Sequence, residues 1–270
     1  MWDRFFSTLS LTSRIPLKVR FSFDPSWIDF YFPLVGIFPA LLGALVFFLG
    51  SQLGGSGLIT VLLALLVQYL GFNLFHLDGL ADTADAFLGN LDREKRLAIL
   101  KDPRMGVYGF FACFFILALK IALLYRIFPL ISRFPASLLA YPLSGRLCAV
   151  LIPVISKPLK PDGLGALVRT SRLWRVLTGA LIGFGLWTAL VYGSLSLYGF
   201  FNAPPAVALP LPSLLLFGLP LLSPLVSCFL AWQYQKHLGG YSGDALGAAV
   251  ELGEVLHLGG AAGLLTVLGV

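Results

Sequence analysis

Long apolar runs separated by short polar turns dominate the sequence. No Asp, Glu, Lys or Arg occurs from residue 30 to 77 or from residue 176 to 235. A membrane-spanning helix needs about 20 predominantly apolar residues, so each of these stretches is long enough for two helices. Turn-forming residues divide the first stretch at 50–57 and the second near 202–205.

Two further apolar runs lie between these stretches, at about 107–128 and 136–156. A last glycine-rich run, about 245–270, is a weaker candidate because Glu251 and Glu254 lie inside it. We therefore predict an all-α fold, a polytopic integral membrane helical bundle with six to seven transmembrane helices.

The composition supports a membrane protein. Hydrophobic residues make up 58% of the chain and charged residues 12%, whereas soluble domains have about 45–50% and about 25%. So few charges cannot cover a soluble globule of this length, which excludes a soluble enzyme and a disordered chain. The three cysteines lie in apolar runs without metal-ligand spacing, so we interpret them as packing residues.

The basic residues indicate an orientation in the membrane. The net charge is +6, and most Lys and Arg lie before the first span or in alternate connecting segments. By the positive-inside rule, these segments and the amino terminus are cytoplasmic, which explains the charge without a nucleic-acid partner. We predict one domain, residues 1–270, with cytoplasmic catalytic loops at about 76–106, 157–174 and 233–246.

Three aspartates at the end of the second span are the main chemical signal. Asp78, Asp82 and Asp85 are spaced i, i+4 and i+7, which places them on one helical face. Like charges at a membrane edge repel unless a cation lies between them, and Mg²⁺ binds both carboxylates and substrate phosphates. We predict that the three bind Mg²⁺ and are catalytic; the alternative is a solvated polar helix end.

Cationic residues near this triplet are candidates for binding a diphosphate. Lys101, Asp102 and Arg104 lie in a loop bounded by proline and glycine, before the third span. A solvated charged loop explains them equally well. Arg146 lies too deep in the fourth run to reach water easily, so it pairs with a carboxylate or contacts a substrate phosphate. Lys120 is interpreted as a structural or snorkelling residue.

A glycine-rich turn at residues 239–248 precedes the last helix. Backbone N–H groups around Gly243 are placed to face an anion, and Asp244 is the predicted N-cap. Glu251 lies two turns later, and we predict that both acids join the metal site of the second span, since small residues allow the helices to approach closely. We interpret His257 as part of a hydrogen-bonded helix-packing pair.

Several motifs together resemble a known family. The run at residues 76–85 resembles the signature of the cobalamin synthases, the adenosylcobinamide-GDP ribazoletransferases of the bacterial and archaeal nucleotide-loop pathway. Departures such as Ala86 and Ser242 remove no charged group. Further matching blocks lie at residues 32–36, 101–102 with 105–109, 145–147, 163–165 and 239–248.

The resemblance implies a reaction in cobalamin biosynthesis. Such a transferase joins adenosylcobinamide-GDP to α-ribazole, or to its 5′-phosphate, and releases GMP. It implies a multi-pass protein of the cell inner membrane with the lipid bilayer as a partner; a homo-oligomer is compatible with the sequence. Attack by a hydroxyl on a diphosphate is chemistry that Mg²⁺ and a carboxylate base support, and the aspartate cluster supplies candidates for both.

Two other functions fit parts of the sequence. A cation-coupled secondary transporter would use intramembrane carboxylates and broken helices, but the charges lie mostly at the predicted cytoplasmic ends and no internal repeat is evident. A CDP-alcohol phosphotransferase-like lipid enzyme has a similar Asp-Gly-x-x-Ala motif. This chain has Asp82 where that motif has arginine, so we expect a similarity of mechanism.

Overall fold

The computed structural model of the protein describes residues 1–132, 134–202 and 215–269, with their side chains except those of 195–202. All regular secondary structure in this part of the chain is helical, which confirms the predicted all-α fold. In chain order the α-helices are α1 (Trp2–Thr12), α2 (Ile28–Val35), α3 (Ile37–Gln52), α4 (Gly57–Gln68), α5 (Leu74–Phe87), α6 (Arg93–Ile99), α7 (Val107–Ile127), α8 (Pro135–Leu138), α9 (Tyr141–Ile155), α10 (Leu173–Asn202), α11 (Ser223–Leu238) and α12 (Gly243–Val267).

Six helical segments among the described residues are long and apolar enough to cross a membrane, so the chain is a multi-pass membrane protein. Three of these segments contain two consecutive α-helices, joined by Gly36, by a π turn at Tyr69–Asn73 or by residues 139–140. The six are Ile28–Gln52, Gly57–Phe87, Val107–Leu130, Pro135–Ile155, Leu173–Ser194 and Gly243–Val267.

The last two predicted spans differ from expectation in the length of their helices, one being longer than expected and the other shorter. The weaker candidate over 245–270 is a full-length apolar helix, α12, with 25 residues. The helix in the predicted sixth span, α11, has 16 residues, fewer than the roughly 20 that span a bilayer. The predicted break near 202–205 lies largely outside the described residues, so the start of that span remains a prediction.

Helix α12 lies at the centre of the bundle and packs most extensively against α9 and α5. The contact with α9 depends on glycine. A Cβ atom at Gly145 would lie 2.5 Å from the carbonyl oxygen of Val250, and one at Gly253 would collide with the sulfur of Cys148. Small residues let helices in a membrane protein pack closely without an aqueous hydrophobic driving force. As a result, α9 is buried along nearly its whole length.

The second span is one long helix interrupted by a π turn at Tyr69–Asn73, between α4 and α5. Single π turns insert an extra residue and often occur at functional sites. Here the turn carries Tyr69 and Asn73, whose side chains both contact Glu251 of α12. Further along, Gly79 lies beside Asp244, so α12 runs antiparallel to α5 and its start meets the end of α5.

Helix α1 covers part of the same end of the bundle. Leu9 packs in a small apolar cluster with Val35 and Phe72. The chain after the helix is held by a hydrogen bond from the N–H of Arg14 to the carbonyl of Gly71, 2.8 Å long. This contact brings the end of α1 beside the π turn that precedes α5.

Candidate active site

Asp78 and Asp82 form an acidic face on α5. Asp78 is exposed and Asp82 is half-buried. Neither carboxylate has a hydrogen-bond or ion-pair partner among the residues that the structure describes. The charge of Asp82 is repelled by those of Asp244, Asp78 and Asp85, in that order of strength. These are acids without a compensating charge from the protein, an arrangement that favours binding of a cation.

The start of α12 approaches this face closely. A Cβ atom at Gly79 would lie 2.9 Å from the carbonyl oxygen of Asp244, and one at Gly247 would lie 3.0 Å from that of His76. Any side chain at either glycine would force the helices apart. The prediction that the last helix packs beside the second span is therefore confirmed, and it brings Asp244 next to the acidic face.

Asp244 is not the N-cap that the sequence predicted. The cap is Ser242, whose backbone is extended, and α12 begins at Gly243. Asp244 therefore lies in the first helical turn, where its negative charge is favoured by the helix dipole. Its carboxylate accepts one hydrogen bond of 3.0 Å, from the hydroxyl of Ser242. Most of its capacity to accept hydrogen bonds or bind a cation is unused.

Asp85 has a different environment from the other aspartates. Its buried carboxylate accepts hydrogen bonds from the backbone N–H groups of Gly106, at 2.7 Å, and Gly109, at 2.8 Å. These groups belong to the start of α7, where N–H groups lack partners within the helix. Asp85 therefore joins the end of the second span to the start of the third, while its assignment as a metal ligand stays a prediction.

Deeper in the bundle, four charged side chains form a buried ion cluster, Lys120, Arg146, Glu251 and Glu254. All are at most 1% exposed. Lys120 Nζ lies 2.6 Å from Glu251 Oε2 and 2.7 Å from Glu254 Oε2. Arg146 Nη1 lies 3.4 Å from Glu254 Oε1. Two positive and two negative charges balance, as buried charges require.

This buried ion cluster clarifies two predicted site residues. Arg146 pairs with a carboxylate, one of its two predicted roles, and also donates to the amide oxygen of Asn73 at 3.0 Å. Glu251 already accepts hydrogen bonds from Lys120 and, at 2.5 Å, from the hydroxyl of Tyr69. Metal binding by Glu251 and phosphate binding by Arg146 remain predictions.

Two other interpretations of this region are tested by the contacts. Lys120 does not snorkel to the membrane surface, because the two glutamates of α12 hold its ammonium group inside the bundle. His257 is a helix-packing residue, as predicted. Its Nδ1 lies 2.7 Å from the hydroxyl of Ser144 and its Nε2 lies 2.9 Å from the carbonyl oxygen of Ser137.

A cavity of about 240 Å³ opens beside Asp244. We call it the polar cavity because of the charged side chains in its wall. Its wall includes Lys101, Lys160, Asp162 and Gly243. Two lysines and a glycine at the start of α12 are suited to a phosphorylated ligand, because ammonium groups and helix N-termini both attract anions. The predicted binding residues Lys101 and Gly243 are thus brought together, although 142 positions separate them in the sequence.

The wall of the polar cavity is held by backbone pairing between two loops. The N–H of Leu159 donates to the carbonyl of Tyr241 at 2.7 Å, and the N–H of Tyr241 donates to that of Lys157 at 3.0 Å. The Tyr241 hydroxyl donates to the carbonyl of Gly165 at 3.1 Å. Burial raises the pKa of Tyr241, so this hydroxyl stays protonated and available as a donor.

The other two residues of the predicted diphosphate loop pair with each other. Arg104 Nη2 lies 2.6 Å from Asp102 Oδ2, and neither residue lines the polar cavity. Hydrogen bonds from Arg104 lower the pKa of Asp102 to about 2. Of Lys101, Asp102 and Arg104, the structure therefore places only Lys101 at the cavity; substrate binding by the other two stays a prediction.

A second, more apolar cavity of about 220 Å³ lies on the other side of Asp244. Its wall includes Phe32, His76, Asp78 and Val150. Gly243 and Asp244 belong to the walls of both cavities. Asp244 thus lies where a polar and an apolar cavity meet, and Asp78 lies in the wall of the apolar one.

The carboxylates fit a magnesium ion shared with a ligand. No three His, Cys, Asp or Glu side chains of the described residues are placed to hold a metal ion by themselves. Mg²⁺ usually takes one or two protein carboxylates and completes its octahedron with water and substrate phosphates. The uncompensated charges of Asp78, Asp82 and Asp244 match that chemistry better than a closed protein site.

Sequence reasoning did not single out several residues that line the two cavities. Charge alone does not distinguish Lys160 from the other basic residues of the loops, and the sequence pattern indicates no role for Asp162 or Tyr241. His76 entered only as part of a motif. A positive charge beside proline and glycine marks Lys160 as a candidate binding residue in the sequence. Asp162, Tyr241 and His76 become recognisable only when distant segments meet in the folded chain.

Comparison with known proteins identifies the family of the chain. The family model described as cobalamin-5-phosphate synthase matches residues 4–262. An adenosylcobinamide-GDP ribazoletransferase of Vibrio cholerae is 33% identical over 260 residues, covering 94% of this chain and 91% of its own.

Proteins with the same printed name occur in other bacteria. That of Klebsiella pneumoniae strain 342 is 33% identical over 266 residues, covering 96% of this chain and 98% of its own. That of Clostridioides difficile is 29% identical over 261 residues, covering 94% and 95%. No solved structure matches the chain.

Proposed function

Because the chain belongs to the cobalamin-5-phosphate synthase family and is a cobalamin-forming transferase, we propose the following reaction for it. The adenosylcobinamide-phosphate group of adenosylcobinamide-GDP is transferred to α-ribazole or its 5′-phosphate, giving adenosylcobalamin or its 5′-phosphate and GMP. The observation that carries this proposal is that two cavities meet at the carboxylate of Asp244, beside the uncompensated acidic face of α5.

In this proposal the GDP part of the donor occupies the polar cavity. Lys101 and Lys160 offer ammonium groups to the diphosphate, and the backbone at Gly243 offers the start of a helix. The phosphorus to be attacked then lies toward Asp244, on the border with the apolar cavity. Association with a multiply charged donor is also favoured by the surplus of basic residues.

Asp78, Asp82 and Asp244 would hold Mg²⁺ together with the diphosphate. When bound, the ion supplies charge neutralisation on the transferred phosphoryl group and on the departing GMP. Asp85 keeps the end of α5 aligned through its two hydrogen bonds to the start of α7. We assign Asp85 a positioning role in this scheme. That its carboxylate also binds the metal through its remaining lone pairs stays a prediction.

The chemical step is a substitution at phosphorus. A ribose hydroxyl oxygen of the acceptor, one that is also free in the 5′-phosphate, forms a bond to the phosphorus on the corrinoid side of the diphosphate. The bond from that phosphorus to the bridging oxygen breaks, and the oxygen leaves with GMP. The hydroxyl proton passes to a carboxylate of the acidic face, which acts as general base. Holding both substrates at this border supplies the remaining acceleration through orientation.

We further propose that the site faces the cytoplasm from the inner membrane, with a cytoplasmic amino terminus. The support is the concentration of Lys and Arg in the segments at that end of the bundle. Single cysteines introduced in the 92–104, 157–163 and 236–242 segments should react with membrane-impermeant maleimide only after the cells are opened. Labelling in intact cells would contradict this orientation.

The function is tested by GMP release from purified protein in lipid nanodiscs supplied with both substrates. We expect release that requires α-ribazole, stops with EDTA and returns with Mg²⁺. Lys101→Ala should raise the KM for adenosylcobinamide-GDP about tenfold, while Lys95→Ala, an exposed lysine outside the cavity, serves as the matched control. No GMP in the complete mixture would refute the proposal.

A further inference from the structure

The apolar cavity contains a histidine whose hydrogen-bonding groups are unused. His76 is 2% exposed, and neither Nδ1 nor Nε2 has a hydrogen-bond partner. Its ring packs against Phe32, with centroids 5.8 Å apart and planes inclined by 62°. A neutral imidazole carries one donor and one acceptor, and leaving both unpaired in the interior is unfavourable. A ligand with matching groups would remove that cost.

The remaining wall of this cavity is mainly hydrophobic. Ile28, Phe32 and Val150 provide aliphatic and aromatic surface, and Thr12 adds one hydroxyl. Small-molecule sites combine an apolar wall with a few polar groups that set the orientation of the ligand. The cavity therefore suits a largely apolar ring system with a hydrogen-bonding atom that faces His76.

We propose that the apolar cavity binds the base of the acceptor nucleoside and that an N–H of His76 donates to the free nitrogen of that base. This inference rests on the proposed function, since it assigns the acceptor to a part of the same site. The base of α-ribazole is a dimethylated benzimidazole. It has an apolar face and one ring nitrogen with a free lone pair, while its other ring nitrogen carries the ribose. Its requirements match the wall of this cavity.

The same chemistry separates the two nucleosides of the reaction. Guanine has several donors and acceptors along its edges, and burying them without partners is costly. Lys101, Lys160 and Asp162 in the wall of the polar cavity can partner these groups, whereas the wall of the apolar cavity has the larger hydrophobic part. The acceptor base and the guanine nucleotide are thus expected on opposite sides of Asp244.

The position of the cavity is suited to the reaction. Asp78 and Asp244 belong to its wall together with His76. A nucleoside whose base contacts His76 would have its ribose within the same cavity as these carboxylates, where a free ribose hydroxyl would meet the donor. His76 is a binding residue in this scheme, and it acts by positioning the acceptor.

The experiment compares two acceptors and three proteins in nanodiscs: the unmodified protein, His76→Phe and the control His237→Phe. The acceptors are α-ribazole and the matching indole riboside, which lacks the free ring nitrogen. With the unmodified protein, we expect a KM about five- to tenfold higher for the indole riboside, the effect of one hydrogen bond. His76→Phe should raise the KM for α-ribazole by the same factor and abolish the preference.

Further measurements separate the binding role from general damage. In His76→Phe, kcat and the KM for adenosylcobinamide-GDP should stay within about twofold of the parent, and His237→Phe should keep the preference for α-ribazole. Equal KM values for the two acceptors in the unmodified protein would overturn the assignment of His76, and this result needs no variant to fold. A higher KM for the GDP substrate alone would overturn the assignment of the cavity.

Failure of the proposed function and failure of the acceptor assignment give different results. If the unmodified protein releases no GMP with either acceptor, the proposed function itself is wrong. If it releases GMP but shows no dependence on the ring nitrogen, the function stands and the apolar cavity has another occupant, such as a lipid acyl chain.

Discussion

The helix pair α5 and α12 carries acidic residues at two depths, and the two groups differ in how their charge is compensated. At the end of the bundle, Asp78, Asp82 and Asp244 lie close to one another without an ion pair among the described residues. Deeper in the bundle, Glu251 and Glu254 of the buried ion cluster are neutralised by Lys120 and Arg146. The open acidic region thus lies between α5 and α12, whereas the closed one consists of two glutamates of α12 paired with cations of α7 and α9.

The difference indicates which charges stabilise the fold and which are available to bind a ligand. Removing one partner of a buried ion pair leaves an uncompensated charge in a medium of low polarity, which is strongly destabilising. Removing one of several repelling carboxylates near water relieves repulsion and costs the fold little. Charge substitutions in the buried ion cluster should therefore lower mainly the stability, whereas those at Asp78, Asp82 and Asp244 should lower mainly the turnover.

Lys120→Met is expected to have the largest effect. It leaves the buried ion cluster with two carboxylates and one cation, at a cost of about 3–5 kcal/mol of stability. We expect little folded protein, measured as monodisperse material after extraction in mild detergent and by thermal unfolding. The double variant Lys120→Met/Glu251→Gln restores neutrality and should recover part of the loss. Normal stability of the single variant would contradict the closed character of this region.

Asp78→Asn and Asp82→Asn should have the reverse profile. Each removes a proposed ligand, so turnover should fall by about a thousandfold or more. The melting temperature should stay unchanged or rise, because a repelling charge is lost. GMP release and thermal unfolding of the same preparations check both parts, with Glu94→Gln as the control. A variant with near-normal turnover would refute the metal assignment.

Asp244→Asn tests whether the two helices share one site. Ser242 remains the N-cap, so stability should change by less than about 1 kcal/mol. If the carboxylate binds the metal or orients its ligands, turnover should fall at least about tenfold and the Mg²⁺ concentration at half-maximal rate should rise. Normal activity and normal Mg²⁺ dependence would confine Asp244 to a structural role.

Asp85→Asn should have mixed consequences. An amide oxygen still accepts one of the two hydrogen bonds from the start of α7, but the NH₂ group cannot accept the other. We expect a loss of about 1–2 kcal/mol of stability and a smaller loss of turnover than in Asp82→Asn. A loss of turnover equal to that of Asp82→Asn at unchanged stability would favour direct metal binding.

The exposed pair Asp102 and Arg104 should produce the smallest effect. Arg104 lowers the pKa of Asp102 from 3.8 to about 2. Any stability from this pair is therefore present above pH 3.8 and is lost as the pH falls toward 2. Arg104→Ala should return the pKa of Asp102 toward its ordinary value, measured by carboxyl carbon NMR, and leave turnover between about pH 6 and 8 unchanged. An altered profile there would indicate that the pair contacts substrate.

Much of the fold and of the acidic face follows from local pattern. The bilayer imposes a length and a polarity on each span, so the uncharged runs at 30–77 and 176–235 predict helices without knowledge of the partners that surround them. The i, i+4, i+7 spacing likewise places Asp78, Asp82 and Asp85 on one face by helix geometry alone.

Tertiary structure decided what each charge does. The pairing of Lys120 with Glu251 joins residues 131 positions apart, and the hydrogen bonds to Asp85 come from a different helix. Compensation of a charge depends on distance in space, which helical periodicity does not encode. The cavities on either side of Asp244 arise in the same way, because their walls form only where the end of α5, the start of α12 and the connecting loops meet.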